Sequence, residues 1–480
     1  MLITMWDKGL KGKVWRILKN LSTNLTAVIK TRFGLTREIL MEIGGRQGSR
    51  LTGRLFAKMM DLLAEEFEGT EEGFKFMSDF KIAILLWVDD VVSCTEGKEN
   101  QEKMLKKVDV FARKHKLKWG SHKCNIMKVG GHNNEMNEWK LGELTIDETT
   151  EYKYLGDTLT NDGKNTKNLE VRGNKIKGTS ITINTIAANE VLKKVETGVL
   201  LELHEKVNIP SLLMNAESWN LNSKDKEEMR KIEIQALKTL FDLPIHTPNP
   251  AIYYAFGILH TDIQVDKRRL TYLHKLITRD LTHWTHKALN TLTESNIGWA
   301  KSIGKTLETY NLPTEYNVIK TITQQEWKRR IIIETEKQHI LRLKEDCHKK
   351  EKGELRVKTK TASILDHITR PTYKRQPIKE LLECTKHETK TIISARYRML
   401  ECGQNFKGTI SEKCDLCDAL DDENHRLNYC SKYRDTNFFD DTEKADFNAI
   451  YSNNVEILRE IIPKIERVWN LRTAHGIMNR

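Results

Sequence analysis

Apolar positions along the first 160 residues switch between helical and strand spacing, which predicts a mixed domain. Gly12 to Ala27 carries Val14, Ile17, Leu18, Leu21 and Leu25 three and four apart, the spacing of one buried helix face. Val28 to Ile43 reads as a hairpin, with Val28, Ile29 and Phe33 before a Gly34 turn and Ile39, Leu40 and Ile43 after it. Leu51 to Phe67 predicts a helix through Leu55, Met59, Leu62, Leu63 and Phe67. Lys81 to Cys94 is an apolar run, two aspartates and a second apolar run, which predicts strand, tight connection, strand. A helix is expected over Asn100–His115 through Met104, Val108 and Phe111. Strands are expected at Cys124–Val129, near Leu141–Ile146 and over Glu151–Leu159.

From Asn165 to about Tyr310 the spacing is mainly helical. Ser223–Phe241 is the clearest case, with Met229, Ile232, Ala236 and Leu240 on one face, broken by Pro244, Pro248 and Pro250. No proline precedes Pro210, so the earlier part should be continuous regular structure. Residues 328–360 hold 12 Lys/Arg against 6 Asp/Glu on a helical background. No internal repeat or low-complexity tract interrupts the chain.

Composition narrows the class. With 480 residues the chain has room for two to four domains, and 39% hydrophobic residues with ten Trp can build cores. The longest purely apolar stretch, Ile82 to Val88, is seven residues, far short of the roughly twenty that span a bilayer. Eight cysteines are too sparse for a disulfide scaffold, and three of them fall within residues 414–430. That cysteine usage fits a reducing, intracellular compartment and one metal site better than bridges, and the N-terminal residues show no secretory signal of basic leader and apolar core. A net charge of +12 raises the odds of a polyanionic partner but is dilute over this length.

Chemistry concentrates at a few points. Asp89 and Asp90 sit between ILLWV and VVS. Neighbouring side chains on a regular strand face opposite ways, so both acids serve one site only where the backbone turns. A rigid turn carrying two carboxylates is what magnesium-assisted phosphoryl or nucleotidyl transfer uses, and an ordinary hairpin turn is the competing reading. Gly44-Gly45-Arg46-Gln47-Gly48 precedes the Leu51–Phe67 helix, Lys123 lies on a loop between helix and strand, and Tyr154-Leu155-Gly156 ends a strand. Each taken singly is equally a structural turn, a solvated lysine or core.

Cys414-x2-Cys417-x7-His425-x4-Cys430 offers three thiolates and one imidazole at a spacing that suits tetrahedral zinc. Cys402 reads as a bystander, and Cys94, Cys124, Cys347 and Cys384 as core or surface thiols. Lys374, Arg375, Lys379, Arg396, Arg398, Lys407 and Arg426, with Tyr373, Tyr397 and Phe406 between them, suit phosphate contacts and base stacking. A solvated helical face is the alternative, and for 328–360 it is a helix supported by local ion pairs.

The ordered set RQG, DD, GxxK and YLG resembles the reverse transcriptase of a non-LTR (LINE-type) retrotransposon. The resemblance implies an α+β fold: a partial palm with an antiparallel hairpin, a mainly helical thumb and connector, and a small C-terminal zinc module. It implies that Arg46, Gln47 and Gly48 contact template and incoming nucleotide, that Asp89 and Asp90 bind catalytic magnesium, and that Lys123 handles nucleotide or pyrophosphate. Tyr154, Leu155 and Gly156 would form the primer grip. Trp219, the Ser223–Leu240 helix and the LPIHTP segment resemble the family's thumb and post-thumb. The cysteine cluster is similar to the CCHC module of such proteins, with zinc as its structural ion. Partners would be an RNA template, a DNA primer or target and deoxynucleoside triphosphates, with no membrane, and the location nuclear in an active element.

The expected divisions are 1–80 (partial fingers and palm), 81–165 (palm with the DD hairpin and YLG strand), 166–310 (helical thumb), 311–400 (basic connector), 401–435 (zinc module) and 436–480 (acidic and helical tail). The sequence departs from the family in three places. A third carboxylate, in a pattern like FxDxxxAFD ahead of RQG, is missing: residues 1–44 hold only Asp7, Glu38 and Glu42. RQG continues as Ser49-Arg50-Leu51 in place of the family's DPLSP, and Trp87 replaces a Tyr or Phe. No endonuclease segment is evident. The expectation is an N-terminally truncated, inactive polymerase, with a non-catalytic nucleic-acid-binding protein as the alternative.

Overall fold

The computed structural model describes residues 2–41, 48–76, 80–130, 138–187, 195–348, 354–400, 402, 405, 411–414, 417–430 and 447–474. It divides into two compact units, Met1–Tyr152 and Lys153–Arg480.

The first unit opens with helices α1 (Leu2–Asp7) and α2 (Gly12–Ser22). The predicted helix to Ala27 stops five residues early: Asn24 turns left-handed (φ 52°), and Leu25–Ala27 becomes strand β1. Of the face predicted to be buried on α2, Leu18 is covered, whereas Val14, Ile17 and Leu21 are exposed. The hairpin after it is nested. An inner pair, β2 (Lys30–Thr31) with β3 (Gly34–Leu35), is framed by β1 with β4 (Ile39–Met41). Helix α3 (Arg50–Glu66) follows, then β5 (Phe74–Phe76) pairing β6 (Phe80–Ile82), and β7 (Ile84–Trp87) pairing β8 (Asp90–Ser93).

Helix α4 (Lys98–His115) leads to β9 (Asn125–Ile126), which is shorter than the predicted strand and runs parallel to β11 (Leu144–Glu148). Strand β10 (Trp139–Leu141) pairs antiparallel with β11. The core joins Met59 and Leu63 of α3 and Phe67 just after it, Met104, Val108 and Phe111 of α4, and Trp139, Leu141 and Ile146. Ile84, Leu86 and Val91 pack against it from the β7–β8 hairpin, so one hairpin face is anchored and its tip projects. A hairpin of β12 (Glu151–Tyr154) and β13 (Asp157–Thr160) leads into the second unit.

That unit is helical: α5 (Thr166–Ala187), α6 (Thr197–Leu203), α7 (Ile209–Leu212), α8 (Ser223–Leu240), α9 (Asn249–Phe256), α10 (Thr261–Ile277), α11 (Trp284–Glu294), α12 (Gly298–Thr309), α13 (Tyr316–Thr321), α14 (Gln324–His348), α15 (Glu354–Ile368), α16 (Lys379–Glu383), α17 (Lys386–Arg396) and α18 (Val455–Ala474). Helix α8 begins on a reciprocal cap, Asn222 with Asp225, and buries Met229, Ile232, Ala236 and Leu240 as its spacing predicts.

Helix α14 buries every fourth residue: Trp327, Ile331, Thr335, His339, Leu343 and Cys347. At 3.6 residues per turn a four-residue period drifts about 40° per step, so the buried stripe winds around the helix. Trp327 and Ile331 accordingly pack with Leu270, Leu273 and Ile303, whereas Leu343 and Cys347 pack with Leu237, Phe256 and Ile392. The charges of this stretch are largely paired, with Arg330 on Glu326 (2.9 Å) and Lys337 on Glu334 (2.7 Å) along the helix itself and Arg342 reaching buried Asp262 of α10 (3.5 Å). The ion-paired helix is therefore the reading that the structure supports over 328–342.

Candidate active site and metal centre

Trp87 and Asp90 are the last facing pair of the β7–β8 ladder, so Val88 and Asp89 form a two-residue turn. Such tight hairpins need left-handed backbone, which Gly or Asn accepts easily. Here the residue is Val88, at φ 57°, a conformation that β-branched side chains avoid. The inward packing of Ile84 and Leu86 turns Trp87 outward, and Trp87, Val88, Asp89 and Asp90 are all exposed. Val88→Asn is expected to stabilise the first unit by about 1 kcal/mol, because left-handed backbone costs a branched residue roughly that much. Urea unfolding checks this, and an unchanged or lowered midpoint would count against strain at the turn.

Tyr152, which no sequence motif singled out, connects this tip to the lysine loop. Its hydroxyl donates to the Lys123 carbonyl (2.9 Å), and burial, then the negative charge of Asp90, push its ionisation above the usual phenol range. Its only sequence signal is its place, two before Tyr154, on an alternating strand. Lys123 itself is exposed at the end of a single 3₁₀ turn, Ser121–Lys123. Asp7 lies on α1 and Glu38 is an exposed loop residue, so neither stands on a strand beside the aspartates; Glu42 lies outside the described residues. The aspartate pair gathers no third acid, His or Cys among the described residues in a metal-sized group.

Arg46 and Gln47 lie outside the described residues. Gly48 (φ 85°) leads into Ser49, whose hydroxyl accepts from the Leu51 amide at 3.3 Å and caps α3. The serine that departs from the family pattern thus starts the helix.

In the second unit, Tyr154 closes β12, and Leu155 (φ 47°) with Gly156 (φ 90°) makes the turn to β13. A Cβ on Gly156 would lie 2.0 Å from Met214 Cε, the movable end of an exposed side chain, so the backbone conformation is what calls for glycine.

The four predicted zinc ligands converge: their ligand atoms all lie within 4.8 Å of one another. Cys414 Sγ and Cys417 Sγ each lie 3.8 Å from Cys430 Sγ, and Cys417 Sγ lies 3.2 Å from His425 Nε2. A tetrahedron with Zn–S near 2.3 Å has S···S edges of about 3.8 Å, whereas a disulfide would need about 2.05 Å. The donor set and its spacing therefore fit zinc. Local structure explains the convergence. Lys413 bridges Leu420, and the Cys414 amide donates to Ala419, closing a knuckle around Cys417. His425 and Cys430 span one π-turn, with the Cys430 amide donating to the His425 carbonyl at 2.8 Å, which brings residues five apart to one side.

Cys402 is fully buried outside the cluster, with its thiol pushed up to about 12 by burial and then by Glu423, so it stays protonated. Several basic residues expected to meet phosphate are instead structural. Arg426 is 2% exposed, forks onto buried Asp421 and lies over Trp469. Arg375 clamps Glu336 and the Gly257 carbonyl, and Arg396 holds the Ile450 and Ser452 carbonyls. Tyr397 is buried. Lys374, Lys379 and Arg398 remain exposed; Phe406 and Lys407 lie outside the described residues.

No described helix is long and apolar enough to cross a membrane. No curated protein matches the chain. The segment that contains α2, the nested hairpin, the Asp89-Asp90 turn, the Lys123 loop and the β12–β13 turn, residues 13–159, matches the family model described as reverse transcriptase (RNA-dependent DNA polymerase).

Proposed function

We propose that the chain derives from the RNA-directed DNA polymerase of a non-LTR retrotransposon and binds an RNA template with a DNA primer or target. The observation that carries this reading is the coincidence of the family match over residues 13–159 with an exposed, anchored Asp89-Asp90 turn. Exposed hard-oxygen donors on a rigid tip suit magnesium, with Asp89 and Asp90 as the residues to hold it. When bound, the ion supplies charge stabilisation for nucleotidyl transfer. By the resemblance of their motifs, Lys123 is assigned to the triphosphate oxygens and Leu155-Gly156 to the primer. The chemistry needs a third carboxylate, which residues 1–44 do not provide in the expected pattern. Extension by this chain alone should therefore fall several orders of magnitude below that of a complete site.

A second reading, nucleic-acid binding without catalysis, is favoured by the cysteine cluster and by exposed Lys374, Lys379 and Arg398. The two overlap in one assay, fluorescence anisotropy of an RNA–DNA primer–template. Asp89→Ala should leave affinity unchanged, because a tip carboxylate adds no attraction for phosphate. Cys414→Ser should weaken it by disordering the zinc module. Failure of the wild-type chain to bind the duplex would sink both readings.

A further inference from the structure

Leu155 is an apolar residue held in left-handed backbone and 38% exposed at the tip of the β12–β13 turn. Such a conformation persists only where the surroundings over-determine it, and here they do. Asp157, the residue after the turn, has both carboxylate oxygens filled. Oδ1 accepts from Asn168 Nδ2 (3.3 Å) and Arg172 Nη2, and Oδ2 from Asn215 Nδ2 (3.1 Å) and Trp219 Nε1 (3.2 Å). Two of the donors also hold the turn itself: Asn215 Nδ2 donates to the Leu155 carbonyl (3.2 Å) and Arg172 Nη2 to the Gly156 carbonyl (3.3 Å).

Arg172 completes the arrangement. It is 5% exposed, reaches the Ser211 carbonyl through Nη1 (2.6 Å) and lies over the Trp219 ring at 4.8 Å. One carboxylate therefore ties the turn to α5, to the segment after α7 and to Trp219 at once. An ionised carboxylate is an acceptor with no proton to give, and four donors converge on it, so only that form satisfies the group.

We infer that Asp157 is a positioning residue: through Arg172, Asn215 and Trp219 it fixes the Leu155–Gly156 turn in the orientation in which it meets the end of a primer strand. The positioning rests on geometry alone, and the primer as its object rests on the polymerase reading above. Asp157→Asn is the sharp probe, because it keeps the shape while placing an amide N–H against donors and removing the partner of a buried guanidinium.

The test uses the full chain and two duplexes of one sequence, a recessed 3′ end and a blunt end, together with amide exchange. In Asp157→Asn, amides of 155–160 should exchange at least about tenfold faster, consistent with losing hydrogen bonds to a charged group, while those of α10 stay unchanged. Affinity for the recessed duplex should fall about tenfold with the blunt duplex unaffected, a discrimination that a general loss of stability would not produce. Trp219→Phe, which removes one donor, should show the same pattern more weakly. Unchanged exchange at 155–160 would overturn the positioning role, as would equal loss for both duplexes. If the wild-type chain binds both duplexes alike, the primer reading fails, and the exchange result alone decides the positioning.

Discussion

Stripping zinc from the Cys414–Cys430 centre is expected to unfold residues 411–430 while the helical unit stays folded. The segment has almost no apolar core of its own: its buried cluster is Cys414 and Cys430 with Cys417 against them. Among its described residues it also buries Leu427, which joins the large cluster with Ile461 and Ile465 of α18, Arg426, which pairs with Asp421, and Glu423, which accepts from Asn405. Without an ion, three thiols and an imidazole packed within 4.8 Å of one another would have weak sulfur hydrogen bonds in place of metal–ligand bonds. In small zinc modules metal binding contributes about 10–16 kcal/mol of apparent free energy, far more than one docked leucine can replace. Elemental analysis should find one zinc per chain. Cys414→Ser or chelation should abolish it and raise amide exchange across 411–430. Cys402→Ser, which removes a protonated thiol outside the cluster, should keep full metal content. Zinc loss in Cys402→Ser, or its retention in Cys414→Ser, would show that the ligand set is wrong.

Acid should loosen the second unit at the contact of α10 with α14. His260 stands at the N-cap position of α10, and its Nδ1 lies 2.8 Å from His339 Nδ1, both rings fully buried. One Nδ1 must donate and the other accept, so the two facing Nδ1 atoms cannot both carry a proton at this distance. Asp346 lies 3.5 Å from His260 Nε2, and Tyr253 stacks on the His260 ring. Arg230 reaches Asp262 and Asp346 from α8, Glu233 sits nearby under the Tyr253 hydroxyl, and Arg375 faces His339 from beyond α15. Burial first, then the charges of His260 and Arg375, push His339 down to about 2.

The folded value is thus depressed below the usual 6.5, so the neutral ring contributes full stability above that pH. The contribution is lost as pH falls from about 6.5 towards 2, at up to about 1.4 kcal/mol per unit. At pH 5 the loss is about 2 kcal/mol, a large part of an ordinary stability margin. His339→Leu should flatten the dependence of unfolding free energy on pH between 6.5 and 5 by about one proton. Identical slopes for wild type and variant would rule out the histidine contact as the acid-sensitive element.

What was legible in the sequence was local. The β7–β8 turn follows from apolar runs on either side of two acids, and α8 follows from its cap and its spacing. The four residues of the candidate zinc site declare themselves by spacing, because knuckle and π-turn are both built within a few residues. What failed depended on distant partners. Val14, Ile17 and Leu21 keep helical spacing yet find little to pack against. The strand taken by Leu25 is decided by Met41, sixteen residues on. Arg375, Arg396 and Arg426 look like surface charge in sequence. They are structural because Glu336, the Ile450 carbonyl and Asp421 meet them in the fold. Asp157 was invisible for the same reason, since Asn215 and Trp219 lie about sixty residues away.

The proposed function rests on a site that supplies two carboxylates at Asp89 and Asp90 and gathers no third among the described residues. The proposed function is therefore to bind a primer–template without advancing it. The most direct test is RNA-templated primer extension by the purified chain with magnesium, at duplex concentrations where anisotropy shows binding. Saturable binding with no more than trace extension, unchanged in Asp89→Ala, is the expected result. Extension well above trace that disappears in Asp89→Ala would contradict it, by showing that the aspartate pair already belongs to a complete catalytic centre.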